Sequence, residues 1–349
     1  MSLAKEIRVS NDSGANWYVL PGNTGDINFE GNQLEDTIFG AAYSSSETGL
    51  INWSVSGNAM YRGFAGYRSR ILRSGESTAM TDEALSQVGT SDTYEINDST
   101  KSLWNWNIDL IVEDSGAAVD DADIEDIDYL FGRITFASGY TVTGPVTVTG
   151  EYFPTAEYGR ANSFSLTQSA DTTDTTSFEV AQANGGFNTF RSTLLTADLE
   201  LTAFYRTDNE FFEDLKAREE FVVEIDLAGN GETVGRGIYK VNDTSQSGDV
   251  GGDEEQNLNL TLSVPEGVTP FRWRYDEETN IPQGLRIVQE AWSDRETIMV
   301  QYLPEGDGNK GFEGEVIVTD ASISSGVDEM VEADVSLQGT GECLIINAA

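Results

Sequence analysis

The sequence predicts a mainly β protein with two related β domains, each flanked by a helix, and a small all-β module inserted into the first domain. Many short runs alternate apolar and polar residues, which is the period of a strand with one buried face. Glycine, serine and proline separate these runs, as turn residues do. A helix, a strand and a hairpin also follow one another twice, which indicates an internal repeat.

The repeat is clearest in two predicted hairpins, at residues 235–266 and 311–342. Each hairpin consists of two alternating runs joined by a polar link rich in serine, glycine and aspartate. The matching residues of the two hairpins are Gly237 with Gly314 and Asp243 with Asp320.

A charged, helix-like segment and then an apolar strand precede each hairpin. The helices are predicted at residues 210–219 and 284–295, and the strands at 221–225 and 298–302. Because the order of the elements is the same in both places, the similarity extends beyond two unrelated hairpins.

The opening of the chain also has a second copy. Residues 25–39 parallel 161–178, and residues 52–62 parallel 196–206. One copy is therefore contiguous and the other is split. The sequence predicts four segments: domain A, first part, at 10–92; the inserted module at 93–155; domain B at 156–268; and domain A, second part, at 270–345.

Three segments outside the repeat have their own patterns. Residues 1–16 look like a polar arm, and residues 74–92 are polar and weakly patterned. Residues 93–155 contain short β runs separated by glycine and proline, which is typical of a small all-β module.

The charge of the chain limits its partners. There are 60 acidic and 20 basic residues, which gives a formal net charge of −40 spread along the whole chain. The many aromatic residues argue against a disordered acidic protein. A strongly acidic surface fits adaptation to high salt, a need to repel polyanions, or both. It excludes DNA binding through a broad basic face.

Several chemistries lack the residues that they require. The chain has no histidine, which removes the Ser/His triad and most zinc sites, and Cys343 alone cannot form an intrachain disulfide. The first residues lack the apolar core of a signal peptide, and no run of eighteen apolar residues predicts a membrane span. No distinctive catalytic motif occurs, so we predict no enzyme activity, no cofactor and no metal site.

Two features have a functional and a structural interpretation. The acidic run at residues 120–128 fits either a solvated surface or a cation site, although it lacks the Asp-x-Asp-x-Asp-Gly pattern of a calcium loop. Trp104 and Trp106 point to one side of a strand. They fit either packing in a core or a platform on which a sugar stacks.

Two stretches carry a family resemblance. Residues 163–208, which include SFSLTQSADTTDTTSFEVAQANGGFNTF and TADLELTAFYRTD, and residues 312–342, FEGEVIVTDASISSGVDEMVEADVSLQGTGE, resemble the major tail tube protein of long-tailed, non-contractile phages and related viruses. The resemblance implies tube domains that are β-sandwiches or open barrels, each with a flanking helix. It also implies rings of six domains that stack into a tube, so a chain with two such domains would form a trimeric ring.

The resemblance also implies a function and partners. The chain would be a structural virion protein of the tail, assembled in the host cytoplasm, with tape-measure, tail-terminator and baseplate proteins as partners. DNA would pass through an acidic lumen without specific binding, because like charges repel phosphate. The charge suggests a host that lives in high salt.

Two loops, at residues 40–49 and 178–190, take the place of the ring-stacking hairpin of that family. They are expected to contact the next ring; the alternative is that they are mobile surface loops. Deleting residues 181–187 is expected to leave folded subunits that no longer polymerise. The residues predicted for stacking are Ala41, Tyr43, Ser45, Glu47, Val180, Gln182, Asn184 and Phe187.

A competing function comes from another class. A surface or secreted β-sandwich adhesion module could bind carbohydrate through its sheet faces, and specific retention on a glycan array would favour it. A hydrolase that uses a pair of carboxylates is a third alternative, without a motif to support it.

Overall fold

A computed structural model of the chain describes residues 6–35, 46–60, 68–74, 76–204, 218–227, 233–247, 255–275, 282–306, 310–326 and 331–347. Strands dominate these residues, so the predicted mainly β class is confirmed. No helix in the described part of the chain has the length and apolar character to cross a membrane.

The strands of the first half are β1 (Glu6–Ser10), β2 (Tyr18–Leu20), β3 (Gly25–Glu35), β4 (Ser46–Met60), β5 (Arg68–Ser74), β6 (Thr78–Gln87), β7 (Thr93–Ile96), β8 (Ile111–Asp114), β9 (Ala117–Ala118), β10 (Ile124–Asp128), β11 (Arg133–Phe136), β12 (Val146–Tyr152) and β13 (Thr155–Asp174). Those of the second half are β14 (Phe190–Phe204), β15 (Phe221–Asp226), β16 (Thr233–Ser247), β17 (Glu255–Leu262), β18 (Phe271–Tyr275), β19 (Thr297–Leu303), β20 (Lys310–Gly326), β21 (Glu332–Gly339) and β22 (Leu344–Asn347). The helices are α1 (Phe178–Ala183) and α2 (Gln283–Asp294).

The chain divides into two compact units. The first consists of residues 1–65, 165–198 and 277–349, and the second of residues 66–164 and 199–276. The long strands β13 and β14 contribute residues to both units.

In the first unit, antiparallel strands lie in the order β3-β4-β21-β20-β19-β1-β2, and β22 pairs with the beginning of β20. Helix α2 packs against this sheet through one apolar face, which buries Leu285, Val288 and Trp292. It ends at Arg295, whose left-handed backbone (φ 58°) lets its amide bond back to the last turn. The helix predicted at residues 284–295 is confirmed.

The core of the first unit contains Trp53 on β4, which is 2% exposed. Its indole N–H donates to the carbonyl of Gly341 at 2.9 Å. A Cβ atom at Gly339 would lie 2.1 Å from the indole, and one at Gly314 would lie 2.5 Å from it. Glycine is therefore required at both positions because the indole occupies the space of a side chain.

The second unit contains two sheets. One has the antiparallel order β14-β17-β16-β15-β5-β13, with β18 added to β16, and the other has the order β10-β11-β7-β6-β12-β8-β9. The seven-stranded sheet has an apolar core of its own around Trp104 and Phe136. A second apolar cluster joins Leu103, Leu130 and Phe131 to side chains of β5, β15 and β16.

Both units contain the same five-stranded antiparallel arrangement in the same register. It is formed by β4-β21-β20-β19-β1 in the first unit and by β14-β17-β16-β15-β5 in the second. In strands β19, β20 and β21 and their counterparts β15, β16 and β17, equivalent residues differ by the same number of positions along the chain. The pairs Val300–Gly314, Val318–Leu337 and Val55–Leu337 of the first unit are equivalent to the following pairs of the second unit, in the same order: Val223–Gly237, Val241–Leu260 and Leu199–Leu260.

The two copies also share a β-bulge. The register shifts between Val241 and Asp243 in β16, and between Val318 and Asp320 in β20. A bulge inserts one residue and bends its strand, so its recurrence at the same place reflects a common design rather than two unrelated hairpins. The predicted repeat of strand and hairpin is confirmed, whereas the helix predicted at residues 210–219 lies largely outside the described residues.

One interpretation of the sequence is wrong, and one stretch for which no structure was predicted forms a strand. The predicted polar arm contains β1, which lies between β19 and β2 and buries Val9 completely. The weakly patterned stretch contains β6, which buries Met80 and Leu85 and pairs with β12 and β7. The seven-stranded sheet consequently begins at Thr78, before the predicted module at residues 93–155.

Candidate functional site

The end of the hairpin of β13 and β14 lies in the first unit and contains helix α1. Ser177 precedes the helix, and its hydroxyl accepts a hydrogen bond from the amide of Val180 at 3.3 Å. This cap satisfies one of the amides that the start of a helix leaves unpaired. Asp174 accepts from the amide of Thr176 at 2.8 Å. The predicted loop at residues 178–190 therefore begins as a short, capped helix.

The chain leaves α1 through two glycines and docks on β4. Gly185 and Gly186 have φ angles of 63° and 87°, a region that glycine adopts without strain. The amide of Ile51 donates to the Gly186 carbonyl at 2.9 Å, and the amide of Asn188 donates to the Ile51 carbonyl at 3.0 Å. The buried Asn188 side chain also donates to Oδ1 of Asn52 at 2.8 Å. The segment after the glycines is therefore bonded to β4.

The other side of this segment is bonded to residues that follow β21. The amide of Gly341 donates to the carbonyl of Asn188 at 2.9 Å. The amide of Phe190 donates to Oγ1 of Thr340 at 3.0 Å, and the Thr340 hydroxyl donates to the Phe190 carbonyl at 3.1 Å. Hydrogen bonds on both sides thus anchor the end of the hairpin within the first unit.

The same hairpin exposes two large apolar side chains. Phe178 on α1 is 97% exposed and Leu194 on β14 is 69% exposed. Between residues 175 and 194, Glu179 and Arg191 are the only charged residues, so this stretch has no net charge in a chain of −40. Exposed apolar groups on a surface depleted in charge are typical of a contact site for another protein. We call residues 175–194 the hairpin tip.

The residues of the second predicted stacking loop lie in different environments. Gln182 is exposed, whereas Val180, Asn184 and Phe187 are half-buried. Phe187 forms a parallel bridge with Ile51, at the strand that follows the first predicted loop. The structure therefore joins the second loop to the strand that follows the first.

The residues of the first predicted loop are only partly described. Glu47 belongs to β4 and is paired with Leu34 of β3, so it is part of a strand. Ala41, Tyr43 and Ser45 lie outside the described residues.

The acidic run at residues 120–128 is partly neutralised within the second unit. Asp126 accepts a hydrogen bond from Arg272 at 2.7 Å. The buried Asp128 accepts from the amides of Leu130 and Phe131. Across the described residues, no group of three or more acidic, cysteine or histidine side chains is arranged to hold a metal ion. These contacts give Asp126 and Asp128 structural roles.

Trp104 and Trp106 are both buried, at 0% and 9% exposure. Trp104 belongs to the core of the seven-stranded sheet, whereas Trp106 belongs to the second apolar cluster and packs on Phe153 with ring centroids 5.0 Å apart. Both residues lie between β7 and β8, so the prediction that they point to one side of a strand is wrong. A sugar can stack only on an exposed ring face, so core packing is confirmed for this pair and the carbohydrate platform is not.

A buried ionic network in the second unit connects the sheet that contains β5, β15 and β16 to segments that link strands of the seven-stranded sheet. Glu224 on β15 is bound by Arg70 of β5 and by Arg236 of β16, the latter at 2.8 Å. Arg236 also donates to Oγ of Ser102 at 3.0 Å and to the carbonyl of Leu130 at 2.7 Å. Burial alone would raise the pKa of Glu224, but the guanidinium groups of Arg236 and Arg70 outweigh it and lower the pKa below its ordinary value.

We expect this network to make the stability of the second unit sensitive to acid. A carboxyl whose pKa is lowered on folding stabilises the folded state above its unfolded pKa, and this stabilisation is lost as pH falls through the folded pKa. For Glu224 the loss should occur below its ordinary value of 4.5. Urea midpoints between about pH 3 and 7 should fall less steeply with acid in Glu224→Gln than in the wild type. The exposed Glu125→Gln is the matched control, and identical pH profiles for Glu224→Gln and the wild type would contradict the assignment.

No protein-family model matches this chain, and no curated protein matches it significantly.

The sequence did not single out Phe178 and Leu194, since apolar residues are ordinarily expected to be buried. A signal for α1 was present, because serine at position 177 is a favoured N-cap.

Proposed function

We propose that this chain is a structural subunit that assembles with copies of itself into the stacked rings of a viral tail tube. The observation that carries the proposal is the five-stranded arrangement that recurs in both units with one register and one bulge. A chain with two equivalent units can supply six equivalent positions from three copies. Such a ring buries strand edges that would otherwise be open to aggregation.

The charge of the chain supports a role as a conduit for DNA. A tube that carries DNA must not retain it, and a formal charge of −40 repels phosphate. Salt shortens the range of this repulsion to about 3 Å at 1 M without reversing its sign. DNA would pass without specific binding, and tape-measure, tail-terminator and baseplate proteins would be the other partners in the virion.

The hairpin tip supplies the proposed contact between rings. Its end is anchored by hydrogen bonds to Ile51 and Gly341, while Phe178 remains almost fully exposed. An anchored segment loses little conformational freedom when it binds, which favours association. The role proposed for this hairpin is structural, without catalysis.

A substitution at Phe178 tests this contact more cleanly than deletion of residues 181–187, because the deletion removes Gly186 and its bond to Ile51. Phe178→Ser should leave the fold intact and prevent rings from stacking, since a 97% exposed side chain contributes little to the core. Electron microscopy and light scattering in molar salt measure the loss of tubes. Val264→Ser, at a position 68% exposed in the second unit, is the matched control. Tubes of wild-type length from Phe178→Ser would rule out this stacking contact.

A further inference from the structure

Strands β22 and β18 occupy equivalent places in the two copies of the repeat. β22 pairs with the beginning of β20, and β18 pairs with the beginning of β16. By the offset that relates β20 to β16, Leu344 corresponds to Arg272 and Ile346 to Arg274. The pair Glu313–Leu344 in the first unit is thus equivalent to Arg236–Arg272 in the second. In the same way, Gly311–Ile346 is equivalent to Val234–Arg274.

In the second unit, β18 is covered by the seven-stranded sheet. Arg272 donates to Asp126 at 2.7 Å. Arg274 lies 3.6 Å from Glu95 and 5.3 Å from the centroid of the Phe131 ring. The side chains of Arg272 and Arg274 are accordingly only 25% and 17% exposed. At this position of the repeat, another part of the same chain therefore covers the strand through ionic contacts.

In the first unit, β22 is apolar and exposed. Leu344 is 49% exposed and Ile345 is 75% exposed. Among the described residues β20 is its only strand partner, and no other strand of this part of the chain forms a ladder along the other edge of β22. An apolar strand with an open edge is a template for pairing with another chain.

We propose that β22 is a docking strand for a second copy of this chain, which pairs with the open edge and so covers Leu344 on one face of the strand and Ile345 on the other. The choice of a second copy rests on the proposed function and on the repeat, because residues of this chain cover the equivalent strand β18. Leu344 and Ile346 in place of Arg272 and Arg274 replace ionic contacts by apolar ones on one face of the strand. Ile345 corresponds to Trp273 and points to the opposite face. Chains of charge −40 can make an apolar contact without bringing more carboxylates face to face.

Hydrogen exchange tests the proposal on the full chain. The amides of residues 344–347 should exchange at least ten times more slowly in the assembled protein than in dilute monomer, since strand pairing protects them. Equal exchange in the two states would overturn the proposal, as would a wild-type chain that stays monomeric at all concentrations in molar salt.

A double substitution provides the second measurement. Leu344→Ser with Ile345→Ser should raise the concentration needed for assembly at least tenfold while circular dichroism stays unchanged. Val264→Ser with Ile111→Ser, at two other exposed positions, is the control and should assemble as the wild type does. Wild-type assembly of the Leu344/Ile345 variant would overturn the proposal. A discrete dimer with protected β22 amides would support the docking strand and refute the tube. Tubes with unprotected β22 amides would support the tube and refute the docking strand.

Discussion

Replacing Arg236 by methionine is expected to lower the free energy of unfolding by about 3–5 kcal/mol, because it removes one partner of a buried ion pair. Methionine keeps much of the apolar stem but loses the contacts to Glu224, Ser102 and the Leu130 carbonyl. Glu224 would retain Arg70, whose side chain is 36% exposed and therefore better hydrated. Urea unfolding followed by circular dichroism measures the change.

The matched control for Arg236→Met is Arg286→Met. Arg286 pairs with Glu290 one turn away on α2, and both side chains are about one-third exposed. An exposed pair at this spacing contributes only about 0.3–0.5 kcal/mol. A loss of less than about 1 kcal/mol for Arg236→Met, close to that of the control, would contradict the role assigned to the network.

Replacing Trp53 by alanine is expected to destabilise the first unit by about 3–5 kcal/mol, the usual cost of removing a large aromatic side chain from a core. The substitution deletes the indole that fills the space beside Gly314 and Gly339, and it leaves the Gly341 carbonyl without its donor. Chemical unfolding at neutral pH gives the difference. Trp53→Phe keeps an aromatic ring and should cost less.

A double-mutant cycle tests the fit between the indole and the glycine. Gly339→Ala alone should destabilise, because its Cβ would lie 2.1 Å from the Trp53 ring. In a chain that also carries Trp53→Ala, the same change should cost much less, since the cavity accommodates the methyl group. Strict additivity of the two substitutions would show that the indole does not impose the glycine.

The repeat could be predicted from the sequence because its signals are local. Gly314 and Gly237 stand at matching positions, and Asp320 and Asp243 directly follow the two bulges. Strand alternation, turn residues and order of elements were therefore sufficient to find the hairpins and their preceding strands.

Strands β1 and β6 could not be found in this way. β1 is short, and its partner β19 lies almost 300 residues further along the chain, so Val9 shows its burial only in the folded protein. β6 buries Met80 and Leu85, which an odd spacing would place on opposite faces of a regular strand. A register shift between these two residues, where β6 pairs with β12, breaks the alternation. Propensity is a weak guide where a distant partner decides whether a segment forms a strand.

In the candidate site, too, some features could be predicted from local sequence and others depend on distant partners. The stretch containing the hairpin tip was selected from the sequence, but the docking of Asn188 between Ile51 and Gly341 joins residues from three distant segments. The exposure of Phe178 and Ile345 is likewise a property of the fold, since apolar residues are usually expected inside.

Negative-stain electron microscopy of the purified chain, in molar salt and in dilute buffer, tests self-assembly most directly. Molar salt screens the repulsion among chains of charge −40 and should favour assembly. We predict hollow tubes or rings with threefold or pseudo-sixfold symmetry, the symmetry that three copies of a two-unit chain produce. Single particles of one chain in both buffers, at every concentration, would contradict the assignment of a tail tube subunit.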